Sequence, residues 1–186
     1  PGDVVVVLHQ LGNHGPSYFK RYADQFRRFV PDCRSADLGS CSRQEIINAY
    51  DNAVLATDDF LAQAIRMLAE DTSHDTAMIY ISDHGESLGE ANVYLHGLPY
   101  AIAPDTQIKV PLTAWLSEGM VESNGIDVSC VKARSRKPAS HDNLFHSVLG
   151  LMQIQTSAYE RGQDLFADCP RPPSTVRAGI APSATP

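Results

Sequence analysis

The chain has 186 residues, of which 43% are hydrophobic and 20% are charged, a composition ordinary for one soluble domain with a core. The formal net charge of -7 argues against a nucleic-acid partner, because binding phosphates requires a clustered basic face. Apolar runs as long as a membrane span, about 18 residues or more, do not occur. A signal peptide is also not found.

The predicted elements begin with residues 4–8, a continuous run of β-branched and apolar side chains. Such a run is typical of a strand buried on both faces of a parallel sheet. A core strand so close to residue one leads us to expect that the chain is a piece of a larger protein. A short helix is predicted over residues 17–22.

The longest predicted helix begins at Ser42, because Ser42 and Glu45 form the S-x-x-E pattern of a capping box. Apolar residues then recur at helical spacing and predict one buried stripe. The stripe consists of Ile46, Ile47, Tyr50, Val54, Leu61, Ile65 and Leu68.

Two further strands are predicted over residues 76–82 and 110–116, and a last helix begins with Ser140 as its cap. This order of strands and helices predicts an α/β fold. We expect one domain over residues 1–169, and a proline-rich, disordered tail over 170–186.

The four cysteines are informative through their spacing. Cys33 and Cys41 enclose a short polar loop. A zinc ribbon would need CxxC pairs, and the sequence contains none. A local disulfide between them is therefore the better interpretation, and it indicates an oxidising compartment. For Cys130 and Cys169, a second bridge and two buried thiols are both compatible with the sequence.

Metal-ligand residue types follow two of the predicted strands. His9 and His14 come after the first strand, and Asp83 and His84 come directly after the second. If the strands are parallel, these side chains meet at one edge of the sheet, and His96 returns to it across a glycine-containing loop. Imidazole and carboxylate ligands together suit zinc, and they would also suit manganese.

The other three of the seven histidines serve as a comparison. His74 lies in a predicted helix-to-strand connection, and His141 and His146 lie in or beside the last predicted helix. We expect these three to be bystanders. Glu86 and Glu90 are expected to be loop or capping groups rather than ligands.

Several motifs resemble one known family. "SDHGESLGE" and "YLHGLPYAIAP" are the most specific, with "VVVLHQLGNHGPSYFKRY", "NAYDNAV" and "VPLTAWLS" in support. Over residues 4–165 the chain resembles the catalytic domain of bacterial lipid A phosphoethanolamine transferases, which belong to the alkaline phosphatase superfamily and include the mobile colistin-resistance enzymes. The resemblance implies part of an α/β/α sandwich with a mostly parallel, alkaline phosphatase/sulfatase-like sheet.

The family's activity, location and cofactor are implied by the same resemblance. Such a protein uses Zn²⁺ to move phosphoethanolamine from phosphatidylethanolamine to lipid A phosphate, through a phosphothreonine-type intermediate. Its catalytic domain is periplasmic and belongs to an inner-membrane protein, held by a membrane segment that this chain does not contain. We further expect a monomer.

Site residues carry over by position. Asp83 and His84 match the family's zinc ligands. The expected catalytic histidines are His84, His96 and His14. His14 and His96 match residues that bind the substrate head group or a second zinc, and His9 matches a neighbouring substrate contact. Cys33 and Cys41 match a family disulfide.

The resemblance also shows what to expect before residue 1. The family's nucleophilic threonine and its glutamate zinc ligand would both lie there, so we expect this chain alone to be inactive. Two alternatives stay open: a sulfatase or phosphodiesterase of the same superfamily, which shares the Asp-His pair, and a non-catalytic metal-binding or interaction module.

Overall fold

A computed structural model describes residues 2–171 of the chain. The chain divides into two compact units, Pro1–Gly119 and Met120–Pro186. Among the helices of the described residues, none combines the length and the apolar character needed to cross a bilayer. The predicted tail falls almost entirely outside the described residues, which end with Pro170 and Arg171.

The regular elements are short apart from one helix. The helices are α1 (Arg43–Glu70), α2 (Asp105–Ile108), α3 (Glu118–Ser123), α4 (Val128–Arg134) and α5 (Asp142–Leu151). The strands are β1 (Ala77–Ile81), β2 (Ser87–Glu90), β3 (Val93–Leu95) and β4 (Leu112–Leu116). Four 3-10 turns complete the set: Tyr18–Lys20, Asp24–Phe26, Leu38–Ser40 and Arg161–Gln163.

Helix α1 begins as the sequence predicts. The Glu45 amide donates to the Ser42 hydroxyl at 3.3 Å, and the Glu45 carboxylate accepts from the Ser42 amide at 2.7 Å. This reciprocal capping box satisfies two backbone donors that the first turn of a helix leaves without partners.

The buried face of α1 differs from the predicted stripe. Its buried residues are Ile46, Asn48, Ala49, Asn52 and Ala53. Val54 is instead 42% exposed. Two asparagines are buried because their amides bind backbone: Asn52 accepts from the amides of Arg28 and Phe29, at 2.8 and 2.9 Å. The spacing of hydrophobic residues cannot predict that such polar side chains are buried.

The core of the first unit lies under the start of α1. Tyr18, Cys33, Ile46 and Ala49 form it, and each is at most 2% exposed. Partly buried side chains from α1, from the loop before it and from the β2–β3 hairpin pack around this cluster. They are Leu38, Cys41, Tyr50, Leu88 and Leu95.

Strands β1 and β4 confirm the predictions at residues 76–82 and 110–116. They pair antiparallel, with Ala77 opposite Leu116 and Ile81 opposite Leu112. Strands β2 and β3 form an antiparallel hairpin that the sequence did not predict. Its two-residue turn holds Ala91 and Asn92 at φ values of 50° and 61°. Such a turn normally carries an Asn-Gly signature, which is missing here.

The predicted first strand at residues 4–8 is not a strand in the structure. These residues are 56–85% exposed, and every strand pair of the described residues is antiparallel. The parallel arrangement of residues 4–8 and 76–82, which was the condition for bringing their ends to one edge, is therefore not formed among the described residues. An apolar run becomes a strand only where a neighbouring strand accepts and donates its backbone hydrogen bonds, and the described residues supply none.

Two further helices differ from their predictions. The helix predicted at residues 17–22 is a three-residue 3-10 turn, Tyr18–Lys20, because only one turn of the backbone closes there. The last helix, α5, has His141 rather than Ser140 at its N-cap position, with no side-chain cap bond.

The second unit contains α4 and α5 and a buried set that includes Ile126, Leu151, Phe166 and Cys169. Cys130 and Cys169 form a disulfide, which settles the question the sequence left open. In the first unit, Cys33 and Cys41 form the predicted disulfide. Each bridge therefore closes within one unit.

Candidate metal centre

Three histidines from separate loops of the first unit meet in one cluster. His14 precedes the Tyr18–Lys20 turn, His84 follows β1, and His96 follows β3. Their candidate ligand nitrogens all lie within 4.8 Å of one another. The ring centroids are 3.8 Å apart for His84 and His96, 4.8 Å for His14 and His96, and 5.7 Å for His14 and His84.

Each ring uses Nδ1 for a hydrogen bond. His14 Nδ1 donates to the Gly15 carbonyl at 2.7 Å, and His84 Nδ1 donates to the Gly85 carbonyl at 3.0 Å. His96 Nδ1 lies 2.9 Å from Glu86 Oε1. A ring that donates from Nδ1 keeps the lone pair of Nε2 for another partner, as histidines that bind metals usually do.

Asp83 lies at the margin of the cluster. Its carboxylate Oδ2 is 3.9 Å from His84 Nε2, and its side chain is 79% exposed. Its other oxygen accepts from the His84 amide at 3.0 Å. Asp83 and His84 thus lie side by side, but Asp83 does not join the metal-compatible group of the described residues, which consists of His14, His84 and His96. A zinc-ligand role for Asp83 stays a prediction.

His9, the fifth sequence candidate, lies in an exposed segment with no regular structure. It does not join the metal-compatible group found among the described residues. The sequence placed His9 at the edge of a sheet because it follows residues 4–8. Since those residues form no strand, that argument no longer applies.

Two glycines allow the close approach of the loops. A Cβ at Gly85 would overlap the backbone carbonyl of Thr106, and a Cβ at Gly15 would lie 2.7 Å from the Tyr18 hydroxyl. Neither position has room for a side chain. The Gly85 amide donates to the Gln107 carbonyl at 3.0 Å, which joins the loop after β1 to α2.

A buried polar contact holds the same region from the other side. Gln107 is 6% exposed, and its amide donates to the hydroxyl of the fully buried Ser87 at 2.9 Å. Gln107 also accepts from the Leu98 amide at 3.4 Å. The loop that carries His96 and the strand that follows His84 are therefore tied to one side chain.

Glu86 is the member of the site that the sequence interpretation missed. It lies in the loop between β1 and β2, as expected, but it is only 8% exposed and contacts His96, Tyr18 and Gly15. Burial and the neighbouring Glu86 charge raise the pKa of the Tyr18 hydroxyl, so this hydroxyl keeps its proton. The available signal was Glu86's place two residues after His84. Glu90 fits the expectation, since it accepts from Leu88 and Arg43.

The predicted bystander histidines lie elsewhere. His74 binds Asp71 at 2.9 Å, and hydrogen bonds from Ser73 and then His74 lower the pKa of Asp71 to about 2. His146 accepts from the Glu160 amide at 2.9 Å, in the second unit. His141 lies at the start of α5. These positions are consistent with structural roles for all three.

The donor set fits a zinc ion. Three imidazoles with free Nε2 atoms, with or without a nearby carboxylate, match the ligand types that catalytic zinc sites use. The described residues thus bring metal-ligand side chains together from three loops, two of which follow β1 and β3.

The chain belongs to the sulfatase family, whose family model matches residues 2–154. It is 46% identical over 172 residues to phosphoethanolamine transferase EptA of Salmonella typhimurium, covering 91% of this chain and 31% of that protein. It is 56% identical over 114 residues to phosphatidylethanolamine transferase Mcr-2 of Escherichia coli, covering 61% of this chain and 21% of that protein.

A solved structure confirms the α/β, sulfatase-like fold class. It is that of the integral membrane protein lipooligosaccharide phosphoethanolamine transferase A (EptA) from Neisseria meningitidis, with a TM-score of 0.85 and 41% identity. The match covers 89% of this chain and 31% of the EptA chain. The chain thus spans about a third of the length of the relatives it matches.

Proposed function

We propose that this chain is part of a zinc-dependent phosphoethanolamine transferase, which moves phosphoethanolamine from phosphatidylethanolamine to a lipid A phosphate and so confers resistance to polymyxins such as colistin. The observation that carries the proposal is the cluster of His14, His84 and His96. The named relatives are phosphoethanolamine or phosphatidylethanolamine transferases, and they support the transferred group and its donor.

The residues have separate roles in this proposal. Asp83 and His84 would hold the zinc ion, and His14 and His96 would bind the substrate phosphate or a second ion. When bound, zinc supplies positive charge that stabilises the transferring phosphoryl oxygens and the attacking oxygen. In the first proposed step the threonine oxygen would give up its proton to a base and form a bond to phosphorus as the phosphorus–oxygen bond to diacylglycerol breaks, and a histidine can protonate that leaving oxygen. In the second step a lipid A phosphate oxygen would bond to phosphorus and displace the threonine oxygen.

The hydrogen bonds of the rings suit both proposed roles. Since His14 and His84 donate from Nδ1 to backbone carbonyls, each Nε2 can offer a lone pair to a metal ion or, when it carries a proton, donate to a phosphate. The half-buried rings are held by loops with no room for side chains at Gly15 and Gly85. This rigidity favours positioning, which supplies most of the catalysis in phosphoryl transfer.

The remaining parts of the reaction lie beyond this chain in our proposal. The family resemblance places the nucleophilic threonine and a glutamate ligand before residue 1, so the chain by itself would be inactive. We further propose a periplasmic location in an inner-membrane protein. The EptA structure is an integral membrane protein, and two disulfides suit an oxidising compartment. A monomer is also proposed.

The test is a transfer assay on the intact protein in membranes. Labelled phosphatidylethanolamine should give label on lipid A, and a zinc chelator should stop the transfer. His84→Ala should lose both bound zinc and transfer, while the matched variant His74→Ala keeps both. Hydrolysis of a sulfate ester without transfer to lipid A would support the sulfatase alternative instead, and zinc binding without any turnover would support a non-catalytic module.

A further inference from the structure

The side chain of Glu86 is almost completely buried, and three donors converge on it. Its side chain is 4% exposed. The Tyr18 hydroxyl donates to Oε2 at 2.8 Å, the Gly15 amide donates to Oε1 at 3.3 Å, and His96 Nδ1 lies 2.9 Å from Oε1. Burying a carboxylate without hydrogen-bond partners would cost free energy, and the three donors around Glu86 offset that cost.

Glu86 does not belong to the metal-compatible group, which contains only His14, His84 and His96 among the described residues. Both of its oxygens already accept from protein groups. It is therefore suited to act on the cluster through another residue. Because the carboxylate oxygen accepts the bond between Glu86 and His96, the ring of His96 carries a proton on Nδ1.

We propose that Glu86 is a positioning residue for the reaction: it fixes the tautomer and the ring orientation of His96, and it ties the His14 loop to the His96 loop through the Gly15 amide. The role assigned to His96 rests on the proposed function. The fixed tautomer does not, because it follows from contacts within the protein. Carboxylate–histidine pairs of this kind commonly orient a histidine toward a metal ion or a phosphate.

The first measurement is the His96 tautomer in metal-free protein. The intact protein is labelled with ¹⁵N-histidine and studied by solid-state NMR, and the His96 signals are those lost in His96→Gln. Wild type should show Nδ1–H. Glu86→Gln should keep Nδ1–H, because the amide oxygen can replace Oε1 while its NH₂ faces the Tyr18 oxygen. Glu86→Ala should lose the Nδ1–H preference.

The second measurement is a double-mutant cycle on transfer by the intact protein. Glu86→Ala should lower transfer about 10- to 100-fold, the usual cost of losing such a partner. The double variant Glu86→Ala/His96→Ala should be no slower than His96→Ala, because both changes remove one function. Glu86→Gln should stay within a few-fold of wild type. Glu90→Gln, a nearby carboxylate that contacts Arg43 and not His96, is the control and should be unchanged.

Three results would overturn the proposal. Glu86→Ala could keep Nδ1–H and full transfer. The double variant could show the product of the two single effects, which would mean that Glu86 acts independently of His96. Glu86→Gln could keep the tautomer and still lose transfer, which would assign the effect to charge. If Glu86→Ala does not fold, Glu86→Gln and Tyr18→Phe still give the tautomer. A wild type that transfers no phosphoethanolamine would refute the proposed function and leave the NMR result standing.

Discussion

The imidazole rings of His84 and His96 stack with their centroids 3.8 Å apart and their planes inclined by 28°. His84 is one member of the predicted Asp83–His84 pair, and His96 comes from beyond the β2–β3 hairpin. The stack therefore places a predicted zinc ligand, His84, against a predicted phosphate-binding histidine, His96. Single substitutions can test whether the two neighbouring rings have these different roles.

Asp83→Ala and His84→Ala should each remove the main zinc and abolish transfer, since a site held by few protein ligands cannot lose one. His96→Ala should lower transfer while most of the main zinc stays bound, because in the proposed function His96 would bind phosphate or a second ion. Metal analysis of the purified intact variants, beside transfer of a labelled head group, checks both. Full zinc and normal turnover in the Asp83 and His84 variants would contradict this assignment.

His74→Ala, His141→Ala and His146→Ala should leave polymyxin resistance close to wild type. His74 binds Asp71 and His146 accepts from the Glu160 amide, and neither histidine belongs to the metal-compatible group of the described residues. The measurement is the minimum inhibitory concentration in cells that express each intact variant at equal level. A loss as large as that of His84→Ala would show that the strand-end argument selected the wrong histidines.

Gly85→Ala should weaken zinc binding and transfer although it adds only one methyl group. The new Cβ would overlap the Thr106 carbonyl, so the backbone between His84 and Glu86 has to move. Zinc titration and transfer measure the effect, and we expect a loss of about 10-fold or more, as for other misplaced catalytic groups.

Gly162→Ala is the matched control, since a Cβ there meets no atom within 4 Å. It should behave as wild type. Equal zinc affinity in Gly85→Ala and Gly162→Ala would mean that the loop after β1 tolerates displacement.

Asp32 makes the stability of the first unit dependent on pH. Burial opposes its ionisation, but hydrogen bonds from Arg27 and Tyr22 outweigh that cost and lower its pKa below the ordinary 3.8. A lowered carboxyl pKa gives stability that is fully present above about pH 4 and is lost as the pH falls through the folded-state pKa.

Asp32→Asn should therefore reduce the free energy of unfolding by about 2 kcal/mol at neutral pH, as charged hydrogen bonds are lost. The difference from wild type should shrink as the pH falls from about 5 toward 2. Urea unfolding at several pH values measures it, with the exposed Asp58→Asn as control. A difference that did not change with pH would contradict the assigned cause.

The two disulfides should differ in their contribution to stability. In the chain-entropy model, the bridge with a sequence separation of 8 contributes about 2.5 kcal/mol and the one with a separation of 39 about 4 kcal/mol. Replacing Cys130 and Cys169 together by serine should lower the free energy of unfolding more than replacing Cys33 and Cys41 together. Chemical denaturation measures both effects. Peptide mapping without reduction should recover both pairs linked, and separately alkylated thiols would contradict the pairing.

Features encoded by neighbouring residues were predictable from the sequence. The capping box of Ser42 and Glu45 and the strands β1 and β4 follow from local patterns. The grouping of His14, His84 and His96 was also predicted, but from parallel strand ends, and residues 4–8 form no strand. The role of Glu86 was not predictable, because it depends on a hairpin whose turn residues Ala91 and Asn92 lack the usual glycine.

The failure at residues 4–8 has a different physical origin. The apolar pattern there was read correctly as a strand preference, but a strand also needs a hydrogen-bonding neighbour at the right register. Local sequence cannot report whether that neighbour is present. The strand-end argument for His9 fails for the same reason, and its role as a substrate contact stays a prediction from the family resemblance.

The confinement of each disulfide to one unit has a consequence for how the chain is made. The four cysteines of this sequence can pair in three ways, and in only one of them does each bridge join cysteines that are consecutive among the four. Cys33 and Cys41 can therefore be oxidised before Cys130 is synthesised, and the second bridge then joins Cys130 and Cys169. Oxidation in the order of synthesis gives these two bridges directly, with no exchange between them.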